Sequence, residues 1–285
     1  MTQPAPPAFF AREGGSFVPA PIARGPWSPD MLHGRVLSGL FAREFEEIYG
    51  DPEFLFSRLT VDLFRPAPMK PLEITTSVSR EGNRIRTIDA SMTCEGVEIS
   101  RANVVALRKA EQPAGKVWAP PTWSVPAPEE IAPPQWPEGA TSGPMRGMAM
   151  WETRNINGRM GPPQPGVPPE QKRAWIRESR ALVEGESLSP FVRVALAADY
   201  TNPFANSGEL GLEFINADIT LYLHRLPVSE WIGFEVASHG SAEGVGVGEC
   251  ALYDLHGPIG RSLVCALANR RMSMGPPPET ARASQ

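Results

Sequence analysis

The clearest periodic pattern in the chain lies between residues 33 and 49, where apolar side chains recur every three or four positions. The apolar positions are Val36, Leu37, Leu40, Phe41, Phe45 and Ile48. Such spacing places them along one stripe of a helix, with polar residues on the opposite side. Gly50 and Pro52 then supply a stop signal. The pattern predicts an amphipathic helix that begins near His33 and Gly34 and ends at Tyr49.

The next segment changes from helical to strand character. Short runs rich in β-branched and aromatic residues predict strands over 56–64, 72–78, 85–93 and 97–107. Turn residues separate the runs, including Gly82 and Gly96. A shorter apolar piece around Phe17 predicts an edge strand before the helix. One long helix followed by antiparallel strands indicates an α+β arrangement.

The same order of elements returns in the second half, after a Pro-rich stretch over 110–170 that excludes regular helix. A strand is predicted over 148–155 and another over 174–183. Ser189 as N-cap and Pro190 in the first turn predict a second helix that reaches about Tyr200. Further strands are predicted over 215–224, 231–238, 244–255 and 260–270, and 272–285 is expected to be a frayed tail.

Two pairs of arginines recur at the same interval in the two parts of the chain that share this order of elements. Arg225 follows Arg65 by 160 residues, and Arg261 follows Arg101 by the same interval. A duplicated module predicts two similar halves, and the seam between them is a common place for a ligand site. We therefore expect an N-terminal half over 1–110, a linker over 111–170, a C-terminal half over 171–271 and a flexible tail over 272–285.

Composition narrows the class of protein. With 285 residues, 41% of them hydrophobic and 21% charged, the chain has the content of a globular protein with a substantial core. The net charge of −5, without a basic stripe, argues against nucleic-acid binding. No apolar run approaches the roughly 18 residues of a membrane span, and the N-terminus does not resemble a secretory signal.

The cysteines and histidines are dispersed. The three cysteines are Cys94, Cys250 and Cys265, an odd number without close spacing, and we expect them to be reduced and enclosed in strands of a cytoplasmic protein. The four histidines show no zinc-ligand spacing, so no metal is expected. Cys265 is an unfavourable nucleophile, because its apolar strand is expected to bury the thiol.

Several stretches resemble the TesB-like acyl-CoA thioesterase family over residues 9–271. The strongest runs from Phe214 to Arg225, and shorter ones begin at Arg24, Trp175, Leu188, Gly244 and Gly257. The resemblance implies an α+β double hotdog fold, in which two antiparallel sheets each wrap a central helix. It also implies an acyl-CoA substrate, no cofactor and association into homo-oligomers.

Asp199 is the leading catalytic candidate. Its small apolar neighbours would bury a carboxylate, which is costly unless the group is paired or hydrogen-bonded. The alternative is an Asp that caps the following turn near Asn202. The resemblance implies that Asp199 is catalytic and that Asn216 occupies the Thr or Ser position that helps hold a water. The Gln of that family would fall near Val264 or Cys265, and this chain has no Gln from Gly257 to Arg271.

Four further residues are candidates for substrate binding. His33 and Gly34 open the first helix, where exposed N–H groups polarise a carbonyl and Gly permits close approach; a simple polar helix cap is the alternative. The family has a second Gly where this chain has Arg35. Thr220 is expected on the same strand face as Asn216. Arg261 is a candidate for the CoA phosphates, or else a solvated charge at a strand end.

Two functions remain open at this point. The first is an acyl-CoA thioesterase that releases a free acid and CoA, which the presence of Asp199 favours. The second is a non-catalytic acyl-CoA or acyl-chain binding protein on the same fold, which the missing Gln favours. A hotdog hydratase is disfavoured, because that group places an Asp five residues before a His and no such pair occurs.

Overall fold

The computed structural model of the chain describes residues 7–134, 151–157, 171–208 and 211–269. The predicted tail over 272–285 lies outside the described residues, as do the first positions of the strand predicted over 148–155. The division into two halves joined by a linker remains a prediction.

The long helices begin and end where the capping signals place them. Helix α1 spans Gly34–Tyr49, with His33 as its N-cap and Gly50 as its C-cap. Helix α2 spans Pro190–Ala198, and the Ser189 hydroxyl accepts a hydrogen bond from the Val192 N–H at 3.1 Å. A short helix, α3 (Thr201–Ala205), follows it and was not predicted. The two main helix predictions are confirmed.

The strands of the first half are β1 (Phe10–Glu13), β2 (Ser16–Pro19), β3 (Phe54–Asp62), β4 (Glu73–Glu81), β5 (Ile85–Cys94) and β6 (Val97–Arg108). Those that follow are β7 (Glu152–Asn157), β8 (Arg173–Arg177), β9 (Ser207–Gly208), β10 (Gly211–Leu212), β11 (Phe214–Asn216), β12 (Asp218–Leu223), β13 (Ile232–Ala242), β14 (Val245–Asp254) and β15 (Gly257–Ala268). The strand predicted over 174–183 ends early, at Arg177. The strand predicted over 215–224 is broken at Ala217.

One large antiparallel sheet joins strands from the early and the late parts of the chain. Its strands follow the order β4-β5-β6-β3-β12-β15-β14-β13-β8-β7, and β11 also pairs with β15. The early and late strands meet where β3 pairs with β12, with Thr60 opposite Thr220. The apolar residues of both inner faces and of both helices form one buried cluster. The α+β double hotdog fold is confirmed, with its two sheets hydrogen-bonded edge to edge.

The repeat seen in the sequence is a structural repeat. The Thr60 and Thr220 hydroxyls are 3.3 Å apart at the centre of the β3–β12 pairing, and these residues are themselves 160 positions apart. A shift of 160 residues also maps the pairing between β3 and β6 onto that between β12 and β15. The matching pairs are Asp62–Arg101 and Tyr222–Arg261. The register of these strand pairs therefore repeats after 160 residues.

The two helices pack against each other in opposite directions. Gly34 at the start of α1 lies beside Asp199 at the end of α2. Further along α1, a Cβ on Gly39 would lie only 2.7 Å from Leu196, so glycine permits the close approach. This arrangement brings the beginning of one helix to the end of the other.

Candidate active site

A buried carboxylate lies where the two main helices meet. Asp199 is the C-cap of α2, and only 4% of its surface is exposed. It is flanked by Ala198, at the end of α2, and by the buried ring of Tyr200. A carboxylate in such surroundings needs partners, because burying an unpaired charge is costly.

Two side chains donate hydrogen bonds to this carboxylate. His33 Nδ1 lies 2.9 Å from one oxygen and Asn216 Nδ2 lies 3.0 Å from the other. The Asn216 amide also donates to the Asp218 carbonyl at 3.2 Å, so its own oxygen remains as an acceptor. His33 is the N-cap of α1, Asp199 is the C-cap of α2, and Asn216 is the last residue of β11. The structure therefore brings together His33, Asp199 and Asn216, three of the residues singled out in the sequence.

The break at Ala217 explains the orientation of Asn216. The Ala217 N–H donates to the Cys265 carbonyl, and its own carbonyl accepts from the Leu63 N–H. β11 ends before this residue and β12 begins after it. Asn216 contacts Asp199, whereas Asp218 hydrogen-bonds to the Thr220 hydroxyl.

The protonation states follow from burial and hydrogen bonding. Burial by itself raises the pKa of Asp199, but the hydrogen bonds from His33 and Asn216, together with the nearby positive charge of Arg35, hold that pKa below the ordinary value. Burial lowers the pKa of His33, despite the favourable contact with Asp199. Near neutral pH the pair is therefore a carboxylate beside a neutral imidazole.

The neutral imidazole has its proton on Nδ1. That atom lies 2.9 Å from the Asp199 oxygen and 3.3 Å from the Arg35 backbone nitrogen, which is also a donor. A single ring nitrogen cannot donate to one group and accept from the other at the same moment. The shorter contact to a charged acceptor favours donation to Asp199.

Gly34 allows the helix to approach the carboxylate. A Cβ at this position would lie 3.1 and 3.2 Å from the two Asp199 oxygens. Gly34 is also the first residue of α1, and the first N–H groups of a helix have no acceptor within it. The positive end of the helix dipole therefore lies next to Asp199, as anion binding requires.

Three residues around this centre were not singled out as site residues from the sequence. Trp151 packs edge-on against His33, with ring centroids 5.4 Å apart. Arg35 and Glu178 form an ion pair with 3.1 Å between their charged atoms. The one sequence signal that bears on them is Arg35 itself, a charged residue placed among the apolar residues at the start of α1.

Thr220 and Arg261, the other two candidates for substrate binding, lie outside the cluster around Asp199. Thr220 alternates with the buried Ile219 and Leu221, so it projects from the outer face of the sheet. The expectation that Thr220 shares a face with Asn216 is wrong, because the break at Ala217 intervenes. Arg261 is paired with Glu249 at 2.6 Å on the exposed surface. Their roles in substrate binding remain predictions, but neither belongs to the Asp199 cluster.

Val264 and Cys265, the two positions at which a Gln was expected, project from opposite faces of β15. Val264 is buried, on the same face as Ser262, whose hydroxyl donates to the Ala198 carbonyl at 3.0 Å. Cys265 is exposed on the outer face, so the expectation that it is buried is wrong. Partial burial and the neighbouring Asp218 nevertheless raise the pKa of its thiol to about 11. The inner face thus presents an apolar Val264 where an amide was expected.

No group of three or more potential metal ligands occurs within the described ranges. Among the helices of those same ranges, none has the length and hydropathy that crossing a bilayer requires.

Comparisons with known proteins agree on the family and the fold. Residues 23–107 match the model of the acyl-CoA thioesterase N-terminal domain, and residues 128–263 match that of the acyl-CoA thioesterase C-terminal domain. The chain is similar to a tesB protein of Mycobacterium avium subsp. paratuberculosis, with 16% identity, a TM-score of 0.64, and coverage of 91% of this chain and 95% of that one. No curated protein matches the sequence significantly.

Two further solved structures share the fold. A hot dog fold protein of unknown function from Alicyclobacillus acidocaldarius has 15% identity and a TM-score of 0.68, over 91% of this chain and 95% of that one. An acyl-CoA thioesterase II, TesB2, from Mycobacterium marinum has 15% identity and a TM-score of 0.59, over 82% of this chain and 90% of that one.

Proposed function

Because the chain belongs to the TesB-like acyl-CoA thioesterase family, whose members are acyl-CoA thioester hydrolases, we propose that it hydrolyses a fatty acyl-CoA with a water molecule positioned by Asp199. The observation that carries the proposal is the ionised, buried Asp199 carboxylate held between His33 and Asn216. A charge kept in such a place, at a helix N-terminus, is typical of a functional site.

In the proposed reaction, Asp199 acts as the general base. A water molecule that donates one proton to Asp199 and the other to the Asn216 amide oxygen directs its lone pair at the thioester carbonyl carbon. The water oxygen forms a bond to that carbon, and the C–S bond then breaks. The proton taken up by Asp199 passes to the departing thiolate, so the products are a free acid and the CoA thiol.

The start of α1 supplies the electrostatic part of the mechanism. Negative charge develops on the carbonyl oxygen during attack, and N–H groups at the first turn of a helix stabilise such an oxyanion. Gly34 is at the first position of α1 and lies against Asp199, so carbonyl and water can be held on adjacent sides of one site. His33 holds the carboxylate in place as a neutral hydrogen-bond donor.

A binding protein without catalysis is the second candidate. It is favoured by Val264, a buried apolar residue on the inner face where a Gln amide was expected. An alkyl side chain offers neither donor nor acceptor to a water molecule. Hydrolysis then depends on Asp199 and Asn216 without a third polar partner.

The test is a free-thiol release assay with acyl-CoAs from short to long chain, on the wild type, Asp199→Ala and Asp199→Asn. Both variants should lose about 100-fold or more in kcat, since they lack the general base. Asp199→Asn keeps the size of the side chain, and circular dichroism checks that both variants fold.

A parallel titration of acyl-CoA binding separates the two candidates. Turnover that depends on Asp199 supports the hydrolase. Saturable binding with no turnover by the wild type supports the binding protein. Turnover that is unchanged in both variants would remove Asp199 from the mechanism.

A further inference from the structure

Arg35 is a buried charge in a place that does not favour a cation. It lies in the first turn of α1, and only 1% of its surface is exposed. The positive end of a helix dipole disfavours a cation, and burial adds a desolvation cost. Accordingly, burial lowers the pKa of the Arg35 guanidinium. A cation that is disfavoured both by the helix dipole and by desolvation is expected to contribute to function or to stability in another way.

The guanidinium is enclosed on several sides. Glu178 pairs with it at 3.1 Å, and both side chains are 1% exposed. The group also lies over the Trp151 ring, 4.1 Å from the centroid, and over the Phe9 ring at 5.0 Å. Planar stacking on an aromatic ring is a property of Arg that Lys does not share. Glu178 is itself fixed, because its carboxylate accepts from the Arg180 N–H at 3.1 Å.

Trp151 transmits this arrangement to the candidate active site. Its ring packs edge-on against His33, at 5.4 Å and 86° between planes, and against Tyr200 at 5.4 Å and 76°. Buried aromatic contacts of this kind restrict the orientation of both rings. The orientation of the His33 ring decides whether Nδ1 reaches the Asp199 carboxylate, 2.9 Å away.

We propose that the Arg35–Glu178 ion pair is a positioning device that holds Trp151 against His33 and thereby fixes the hydrogen bond from His33 to Asp199. None of the three residues touches the reacting atoms in this scheme. The inference rests on the proposed function, because the ion pair is proposed to align Asp199 as the general base of that reaction. The competing explanation is that the pair only stabilises the fold.

The test compares two perturbations with a matched control. Arg35→Gln combined with Glu178→Gln removes both charges and leaves amides that can hydrogen-bond to each other. Trp151→Leu removes the aromatic contact with His33 and leaves the ion pair intact. It tests the same proposal if the first variant does not fold. The control is Arg86→Gln with Asp51→Asn, because Arg86 also stacks on an aromatic ring at 3.9 Å and pairs with a carboxylate at 2.9 Å.

The control pair is more exposed than the test pair and lies at the other end of α1. The helix has 16 residues, so its two ends, and with them the control pair and the test pair, are about 24 Å apart at 1.5 Å per residue.

Two readouts are needed. One is kcat and KM for an acyl-CoA, and the other is the tautomer of His33, followed by NMR on protein with ¹⁵N-labelled histidine. The chain has four histidines, and a His33→Gln variant assigns the signal.

Both test variants should lower kcat by about 10- to 100-fold with KM within about 3-fold, since a displacement of about 1 Å is enough for such a loss. They should also shift the His33 signal from a single Nδ1–H tautomer to a mixture, whereas the control changes neither readout. A variant that melts earlier but keeps the wild-type kcat and tautomer would show a purely structural pair. If the wild type shows no turnover, the proposed hydrolysis fails, and the His33 signal alone decides the inference.

Discussion

Gly34→Ala is the most direct test of the geometry around Asp199. The added Cβ would lie 3.1 and 3.2 Å from the two carboxylate oxygens and 3.3 Å from Leu63 Cδ1. Ordinary contacts are longer by a few tenths of an ångström, so the carboxylate has to move by about that amount. The hydrogen bonds that it accepts, at 2.9 and 3.0 Å, would then lengthen or bend.

The magnitude follows from how steeply rates depend on alignment. A misplacement of about 1 Å costs roughly 100-fold, so a few tenths should cost about 3- to 10-fold in kcat. Stability should change little in comparison. Gly34 is the first residue of α1, so replacing it by Ala gains less than the roughly 1 kcal/mol of a helix interior, and this gain offsets part of the cost of the tight contact. The expected result is a folded protein with a weaker catalytic centre.

The assay pairs thiol release from an acyl-CoA with thermal unfolding. Gly240→Ala is the control, because a Cβ at Gly240 meets no atom within 4 Å. The control should match the wild type in rate. Wild-type turnover by a fully folded Gly34→Ala variant would refute the view that the start of α1 is held in catalytic contact with Asp199.

Two further predictions concern titratable groups. Because burial holds the pKa of folded His33 below its ordinary 6.5, the unfolded chain binds the proton more readily and stability should decline as the pH falls below about 6.5. Urea unfolding at pH 7 and pH 5 should show a smaller decline for His33→Gln, and an equal decline in both proteins would contradict this. Cys265, with its pKa near 11, should be alkylated by iodoacetamide at pH 8 roughly 100-fold more slowly than free cysteine, although its side chain is exposed. Mass spectrometry of partly reacted protein measures this rate, and rapid labelling of Cys265 would contradict the pKa shift.

Local patterns were sufficient for most of the elements. The apolar stripe and the stop residues located α1 closely, and Ser189 with Pro190 located α2, because caps and periodicity act within a few residues of each other. The strand predictions failed where the chain leaves the regular pattern. The stretch over 174–183 has strand composition, but β8 pairs with β13 only over 173–176 and with β7 only as far as Arg177.

The face on which a side chain projects was less predictable. Strict alternation would put Asn216 and Thr220 on the same face, and the break at Ala217 separates them. Such breaks depend on the neighbouring strands, here through hydrogen bonds to Leu63 and Cys265. The same alternation leaves Cys265 exposed and Val264 buried, which composition alone did not reveal.

The sequence by itself determined the helices, the repeat of 160 residues and the candidacy of Asp199, because these are recorded in local spacing and in residue type. Only the tertiary structure decided which residues surround that carboxylate. His33 and Asp199 are far apart in the chain, and they meet because the two helices pack in opposite directions with glycine at the contact. The partners of a buried charge are set by packing across the whole core, and no local pattern specifies them.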